Sequence, residues 1–198
     1  MAENKVRFGL KNVYYSLLTE GSSNTFATPV AVPGAVSMTL DSNVANGSFY
    51  SDNITYYKTF SNNGYTGTLE VAMIPEAMLK DVFGMTVGSD KILYEASGVN
   101  PKPFALMFQI EGDQQAELNV LYKVVPTSKP TAGSQTVEES VEPVTQSFDF
   151  EALPLTTGGM LARTISLSSC VPFPVKSGAS ASLTCMGVEE RVPSGLQA

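Results

Sequence analysis

The side chains that most often carry catalysis or bind metal ions are sparse in this chain. Histidine is absent, so a nucleophilic triad with an imidazole base and a mixed Cys/His zinc site are both excluded. The two cysteines, Cys170 and Cys185, match no metal-ligand spacing and lack the Lys- or Arg-rich neighbours that activate a catalytic thiol. They are read either as two reduced thiols or as one disulfide.

The acidic residues offer little more. Asp52 and Asp81 could pair with other carboxylates in space, and the densest acidic cluster consists of Glu138, Glu139 and Glu142. Such a cluster is read either as a metal-binding or repulsive surface or as an ordinary solvated loop. The chain has no phosphate-binding glycine loop and no dinucleotide fingerprint. We therefore expect no enzymatic activity, no catalytic or metal-binding residues and no cofactor.

Charge and composition limit the partners. Lys and Arg number 12 against 19 Asp and Glu, a net charge of −7, and charged residues make up 16% of the chain where about 25% is usual. A protein that grips nucleic acid needs clustered cations, whereas an acidic wall lets DNA pass without holding it. No secretion signal and no apolar run of about 20 residues is found in the sequence, so we expect synthesis and assembly in a cytoplasm, without a membrane anchor.

The elements that must position these residues are mainly β-strands. Residues 64–73 alternate apolar and polar side chains, as a strand with one buried face does. Pro75 then suits the first turn of a helix, and Met78, Leu79, Val82 and Phe83 recur at helical spacing before Gly84. The pattern predicts a mainly β, sandwich- or barrel-like fold with one short packed helix at about residues 75–83.

The strongest strand signal is a hairpin of residues 104–111 and 117–125. The alternation predicts one inward face on each strand, formed by Phe104, Leu106, Phe108 and Ile110 on the first and by Leu118, Val120, Tyr122 and Val124 on the second. Strand signals also occur at residues 13–17, 35–41 and 144–155.

Residues 42–63 combine many turn-forming Asn, Ser, Gly and Asp residues with aromatic side chains, namely Phe49, Tyr50, Tyr56, Tyr57 and Phe60. A long polar loop normally lacks such rings. Two interpretations stay open. Either the segment is a β-hairpin or long loop that packs against another subunit, or its rings fold back onto their own core.

The domain organisation is predicted as one β domain with an extension. The β domain spans residues 1–155, with an N-terminal arm at 1–11, the long loop at 42–63 and a Pro-, Ser- and Thr-rich loop at 126–143. Residues 156–198 are Ser-, Gly- and Pro-rich, typical of an arm or a surface decoration.

Several ordered blocks of this sequence resemble the major tail protein, or tail tube protein, family of long-tailed, non-contractile siphophages of mainly Gram-positive hosts. The blocks cover residues 7–15, 32–36, 49–53 with 56–57, 64–70, 81–84, 104–113 and 120–122. Each block alone is an apolar strand with turn residues, and their order and spacing make the set more specific. The resemblance extends from about residue 5 to residue 155 and fails after residue 156.

The resemblance implies a structural virion protein. Hexameric rings would stack head-to-tail around a tape-measure protein, contact other tail proteins, and form a hollow conduit through which DNA is ejected without specific binding. The N-terminal arm and the two loops would bridge subunits, so the implied contact candidates are Phe8, Phe49, Tyr50, Tyr56, Tyr57 and Phe60. A tube of a phage-derived bacteriocin fits the same pattern.

A second function class is a solitary β-sandwich module that binds carbohydrate or mediates adhesion. Such modules present Trp or Tyr rings on a flat face for stacking on sugars. The chain has no Trp but has 8 Tyr residues, so this alternative is kept. Monomer against long polymer distinguishes the two.

Overall fold

The computed structural model describes residues 4–21, 24–131, 133–134, 143–155 and 163–166, together with the backbone of 172–177 and 180–185. These residues contain one helix, α1 (Glu76–Asp81), and a series of strands. The strands are β1 (Arg7–Thr19), β2 (Thr25–Phe26), β3 (Val30–Ala31), β4 (Ala35–Ser51), β5 (Ile54–Val71), β6 (Thr86–Val87), β7 (Leu93–Tyr94), β8 (Phe104–Gly112), β9 (Glu117–Pro126), β10 (Gln146–Leu153), β11 (Arg163–Ser166), β12 (Pro172–Ser177) and β13 (Ser180–Cys185). The fold is mainly β with one short helix, as predicted.

One large sheet holds most strands in the order β13-β12-β2-β1-β8-β9-β10-β5-β4, with β3 added to β1 and β11 added to β9. Its pairs are antiparallel except β12 with β2. Strands β6 and β7 form a separate two-stranded sheet. The strands described beyond residue 155 join the large sheet, so at these positions the predicted extension is continuous with the β domain.

Strand β8 is the centre of the core because both of its faces are covered. Phe104, Leu106 and Phe108 pack in one cluster with the helix and β5, while Ala105 and Met107 pack in a second cluster with Phe26. The predicted inward face of Phe104, Leu106, Phe108 and Ile110 is confirmed. Ala105 and Met107 occupy the other face of β8, for which the alternation predicted no separate cluster.

The single inward face predicted for β9 is wrong at one position. Leu118, Val120 and Tyr122 lie in the second cluster, but Val124 lies in the first. The pairs Phe104–Val124 and Leu106–Leu121 differ by one residue in register, which marks a bulge. Because a bulge inserts one extra residue, it reverses the side to which the following residues point.

Helix α1 follows β5 closely and covers the first cluster. Pro75 precedes its first residue, and Met78 and Val82 are fully buried. Tyr15 of β1 lies beneath the helix, where its hydroxyl donates a hydrogen bond to Asp81 Oδ2 at 3.1 Å. The helix predicted at about residues 75–83 is thus confirmed, with its apolar face on the sheet.

Strand β5 defines two ends of the molecule. At its carboxyl end, called the helix end, Val71 pairs with Gln146 and Ala35, and α1 follows. At its amino end, called the hairpin end, β5 connects to β4 through Asp52 and Asn53. Because β5 is 18 residues long, these ends are separated by up to about 60 Å along the strand.

Several predicted features lie outside the described residues. They include Met1, Cys170, the cluster Glu138, Glu139 and Glu142, and half of the loop at 126–143. Cys185 ends β13 and is described by its backbone only. Among the described residues, no helix has the length and apolar character that crossing a bilayer requires, and no cluster of acidic or Cys side chains is suited to a metal ion.

Candidate assembly surface

Residues 42–63 form a two-stranded hairpin that leaves the body of the sheet, named here the aromatic hairpin. Strand β10 covers β5 only as far as the pair Ala152–Tyr65. Beyond it, β5 pairs with β4 alone, from Val44–Asn62 to Ser51–Ile54. The ten residues from 54 to 63 extend about 30 Å in strand conformation. A bare two-stranded ribbon is marginally stable in water, so a segment of this length is expected to have a partner.

The turn at the hairpin tip explains its polar sequence. Asp52 and Asn53 have φ values of 51° and 64°, in the left-handed region that a tight two-residue hairpin turn requires and that Asp and Asn tolerate. Of the two structural forms considered for this segment, the hairpin is correct and the long loop is wrong. The turn-forming residues that suggested a loop lie instead in the turn at the tip and in the irregularly paired strands of the hairpin.

The aromatic side chains of the hairpin are exposed to solvent. Phe49 is 62% exposed, Tyr50 67%, Tyr56 73%, Tyr57 61% and Phe60 71%. The interpretation that these rings fold back onto their own core is therefore wrong. Five large rings in one solvated ribbon form an exposed apolar patch of the kind that marks an interaction site.

Both faces of the aromatic hairpin carry rings. Phe49 lies directly opposite Tyr57 in the β4–β5 register, so these two side chains share one face. Tyr56 and Phe60, which alternate with Tyr57 along β5, point to the other face together with Lys58. A partner that covered one face only would leave half of the aromatic surface in water.

Gly64 fixes the point at which the hairpin departs from the sheet. Its φ is +107°, a conformation that favours glycine, and a Cβ at this position would collide with the carbonyl oxygen of Ala152. The register of β4 and β5 also shifts here, between Ser42 and Val44. The hairpin base therefore depends on a bulge and a glycine packed against β10.

Phe8, the sixth predicted contact residue, lies apart from the other five. It sits in β1, opposite Glu111, and is 55% exposed. The structure thus brings together five of the six candidates on the hairpin and leaves Phe8 on the sheet. That any of them contacts another subunit stays a prediction.

The described part of the N-terminal arm lies on its own subunit. Asn4 donates a hydrogen bond to the carbonyl of Gln115 at 2.6 Å and accepts one from the Gln115 N–H at 2.7 Å, while the Lys5 N–H donates to Asp113 at 2.9 Å. Residues 7–11 are part of β1. The turn between β8 and β9 therefore fastens this segment, and a bridging role for the arm stays a prediction.

Polar side chains form a hydrogen-bonded network at strand β9. Arg7 Nε donates to Glu117 Oε1 at 3.1 Å, and the Glu117 side chain is only 6% exposed. Its second oxygen, Oε2, has no hydrogen-bond partner among the described residues. Arg163 donates through Nε and Nη2 to Asn119 Oδ1, at 3.1 and 2.6 Å, and lies over the Tyr65 ring. These contacts tie β11 and β1 to the buried end of β9.

Among the described residues, two titratable groups have clearly shifted pKa values, and both lie in the body of the protein. Burial raises the pKa of Tyr15 well above its ordinary value of 10.0, and the charge and hydrogen bond of Asp81 raise it further. The hydroxyls of Ser37 and then Thr145 donate to Glu70, at 2.6 and 2.5 Å, and hold its pKa below the ordinary 4.5. Neither group is near the hairpin. Asp52 and Asp81, for which pairing with other carboxylates was considered above, lie at opposite ends of the molecule, Asp52 at the hairpin tip and Asp81 at the end of α1.

A second exposed apolar group was missed by the sequence reading. It lies in residues 84–103, which leave α1, form β6 and β7, and return to β8. Its partly exposed side chains are Val87, Ile92, Tyr94 and Val99. Strands β6 and β7 have two residues each, and strands this short carry no alternation from which the exposure of Ile92 and Tyr94 could be predicted.

The first part of the loop at 126–143 is also described. Thr127 and Thr131 donate backbone hydrogen bonds to the carbonyls of Asp149 and Ser147, at 2.9 Å each, so the chain turns back along β10. Lys129 forms an ion pair with Glu95, which joins this loop to residues 84–103. A bridging role of the loop stays a prediction.

Comparisons with known proteins show a likeness to solved structures. No family model and no curated protein matches the chain. Among solved structures, the chain is similar to the cap of the anti-feeding prophage, described as a tube-terminating cap and determined by cryo-electron microscopy. The two share 15% identity with a TM-score of 0.49, over 84% of this chain and 97% of that one. Identity and TM-score at this level do not assign a function, and the likeness is to a prophage tube component.

Proposed function

We propose that this protein is a structural subunit of a phage-type tail tube. Hexameric rings of it stack around a tape-measure protein and form a hollow conduit for DNA ejection. The observation that carries the proposal is the aromatic hairpin, whose rings on both faces have no cover within the described chain. The ordered sequence blocks that resemble tail tube proteins point to the same role.

The size of the bare surface suits a stable contact. An aromatic side chain buries roughly 150–250 Å², so five rings at about two-thirds exposure would bury on the order of 700 Å² per subunit. A stable protein interface buries about 800 Å² per partner. The hairpin alone could thus supply most of one side of a specific interface, and the two-sided placement of its rings favours insertion between neighbours.

Free strand edges offer the lateral contact. Strand β4 is an end strand of the sheet, and its outer edge has no strand partner among the described residues. The outer edge of β1 is likewise unpaired at Arg7–Lys11 within the described part of the chain, since β2 and β3 pair only with residues 14–19. Exposed edges invite pairing with another chain. In a closed ring, the sheet of one subunit continues into the next, which satisfies these edges.

The charge supports a conduit over a DNA-binding protein. With a net charge of −7, the chain cannot supply the clustered cations that hold phosphates. An acidic inner wall repels DNA and lets it slide. The tube therefore needs no residue that recognises nucleic acid.

Negative-stain electron microscopy of the concentrated protein tests the proposal. We expect rings and hollow tubes from the wild type, and folded protein without long tubes from Tyr56→Ser/Tyr57→Ser. The matched control is Thr55→Ser/Thr59→Ser, which changes the same strand but keeps every ring, and it should form tubes as the wild type does. A wild-type protein that stays monomeric at high concentration and binds a glycan array would contradict the proposal and favour the carbohydrate-binding alternative.

A further inference from the structure

The segment of residues 84–103 is held at the helix end of the molecule. Its last part is joined to the end of α1 by the hydrogen bond from the Lys102 N–H to the carbonyl of Val82, at 2.8 Å. Glu95 is paired with Lys129 in the loop that follows β9. The Thr86–Tyr94 and Val87–Leu93 pairs join β6 and β7 in a small sheet within the segment. A segment anchored by such contacts can act as a receiving surface at a reduced ordering cost.

This segment exposes apolar side chains that the described chain does not cover. Ile92 is 52% exposed, Tyr94 49%, Val99 41% and Val87 39%. The aromatic hairpin lies at the opposite end of β5, up to about 60 Å away along the strand. Two bare surfaces at opposite ends of one subunit cannot cover each other within that subunit. They can meet only when a second copy is added head-to-tail.

Both surfaces carry charges of both signs. The hairpin carries Asp52 and Lys58, and the segment carries Asp90, Lys91 and Lys102, none of which forms an ion pair among the described residues. Each surface therefore offers a carboxylate and at least one ammonium group to the other. The pairs would add specificity of alignment more than affinity, since rim ion pairs contribute little.

We infer that the aromatic hairpin of one copy docks on residues 84–103 of the copy in the next ring, with Tyr56 and Phe60 against Ile92 and Tyr94. This inference rests on the proposed tube function and names the receiving site for it. Such a contact is heterologous: the two patches differ, the contact does not close on itself, and it generates an open stack. The length of the stack is then limited only by a component that lacks one of the two surfaces.

Site-specific photo-crosslinking tests the inference. Tyr56 is replaced by p-benzoylphenylalanine, tubes are confirmed by microscopy in the same sample, and crosslinked peptides are identified by mass spectrometry after irradiation. We expect intermolecular crosslinks to residues 86–99. Tubes with crosslinks elsewhere in the neighbour would overturn the receiving site and leave the tube function standing. A sample without any assembly would overturn both.

A mixing experiment separates the two surfaces. Tyr56→Ser/Phe60→Ser lacks the docking rings of the hairpin, and Ile92→Ser/Tyr94→Ser lacks the receiving side chains. Neither variant should stack alone, but an equal mixture should give stacks of two rings and no longer, seen by sedimentation velocity and microscopy. The control Ile165→Ser, an exposed apolar position on β11 outside both surfaces, should form full-length tubes. Full-length tubes from Ile92→Ser/Tyr94→Ser alone would overturn the inference.

Discussion

The core around β8 and the aromatic hairpin use the same residue types for opposite purposes. Phe104, Phe108 and Phe148 are at most 2% exposed, whereas Phe49 and Phe60 are 62% and 71% exposed. In the core, the rings are covered by the helix and by side chains of other strands. In the hairpin, nothing in the described chain covers either face. The difference teaches that ring content alone marks apolar surface, while only the tertiary structure shows whether that surface is covered within the chain.

The largest effect on folding is expected in the core. Phe148 packs against Phe83 with centroids 5.4 Å apart and contacts Phe150. Phe148→Ala should lower the free energy of unfolding by about 3–5 kcal/mol, because it removes a buried ring and leaves a cavity. Urea denaturation at a protein concentration below assembly measures it. A loss under about 1 kcal/mol would contradict the assignment of this cluster as the core.

The next effect is expected at the base of the hairpin. Gly64→Ala combines an unfavourable positive φ with a clash against Ala152, so we expect a loss of about 3 kcal/mol in unfolding free energy. Gly98→Ala is the matched control, because Gly98 has φ +87° with open space around its Cα. It should cost only the backbone strain, about 1 kcal/mol. Equal losses from the two variants would remove the special role of Gly64.

The border between the two regions gives a smaller effect. Arg7→Ala leaves the buried Glu117 carboxylate without its partner, and we expect a loss of about 1–2 kcal/mol in unfolding free energy. The estimate is discounted because the Arg7 side chain is 61% exposed. Adding Glu117→Gln should recover part of the loss, since a neutral amide is less costly to bury. Denaturation of the two single variants and the double variant measures this coupling.

The Tyr15–Asp81 hydrogen bond beneath the helix should contribute about 1 kcal/mol, which Tyr15→Phe removes. The fold raises the pKa of Tyr15 above its ordinary value of 10.0. Its contribution is therefore complete below pH 10 and is lost as the pH rises through the folded-state pKa, because the unfolded chain releases this proton first. Between pH 8 and 11, the thermal unfolding temperature of Tyr15→Phe should fall less steeply with pH than that of the wild type. An unchanged slope would contradict the burial of this hydroxyl.

The hairpin rings should have the smallest effect on folding. Tyr56→Ser/Tyr57→Ser changes two exposed side chains, and we expect an unfolding free energy within about 0.5 kcal/mol of the wild type for each. Urea denaturation under the conditions used for Phe148→Ala measures it. A loss near that of the core variant would show that the rings are covered within their own subunit.

The sequence predicted the regular elements of the core and missed what depends on tertiary context. Alternation located β8 and β9, and Pro75 with the helical spacing located α1. The bulge that turns Val124 to the first cluster leaves no local signal, because it depends on how β9 pairs with β8. That Met107 packs in a second cluster was also unpredictable, since this cluster includes Phe26, which lies far away along the chain.

The hairpin could be predicted only in part, because the cover of its side chains also depends on tertiary context. Its aromatic content predicted a packed surface, and Asp52 with Asn53 is compatible with a tight turn. Periodicity cannot tell whether a ring is covered by its own core or by another subunit. The exposure of Ile92 and Tyr94 could not be predicted at all, because these side chains lie in a loop with no amphipathic pattern.

A cryo-electron microscopy reconstruction of the assembled wild-type protein tests the central claim most directly. We predict stacked rings in which the hairpin rings of Tyr56, Tyr57 and Phe60 are buried by neighbouring subunits on both faces. Two results would contradict this claim. One is an assembly in which these side chains stay exposed to solvent, and the other is a protein that forms no assembly at the concentrations used for cryo-electron microscopy.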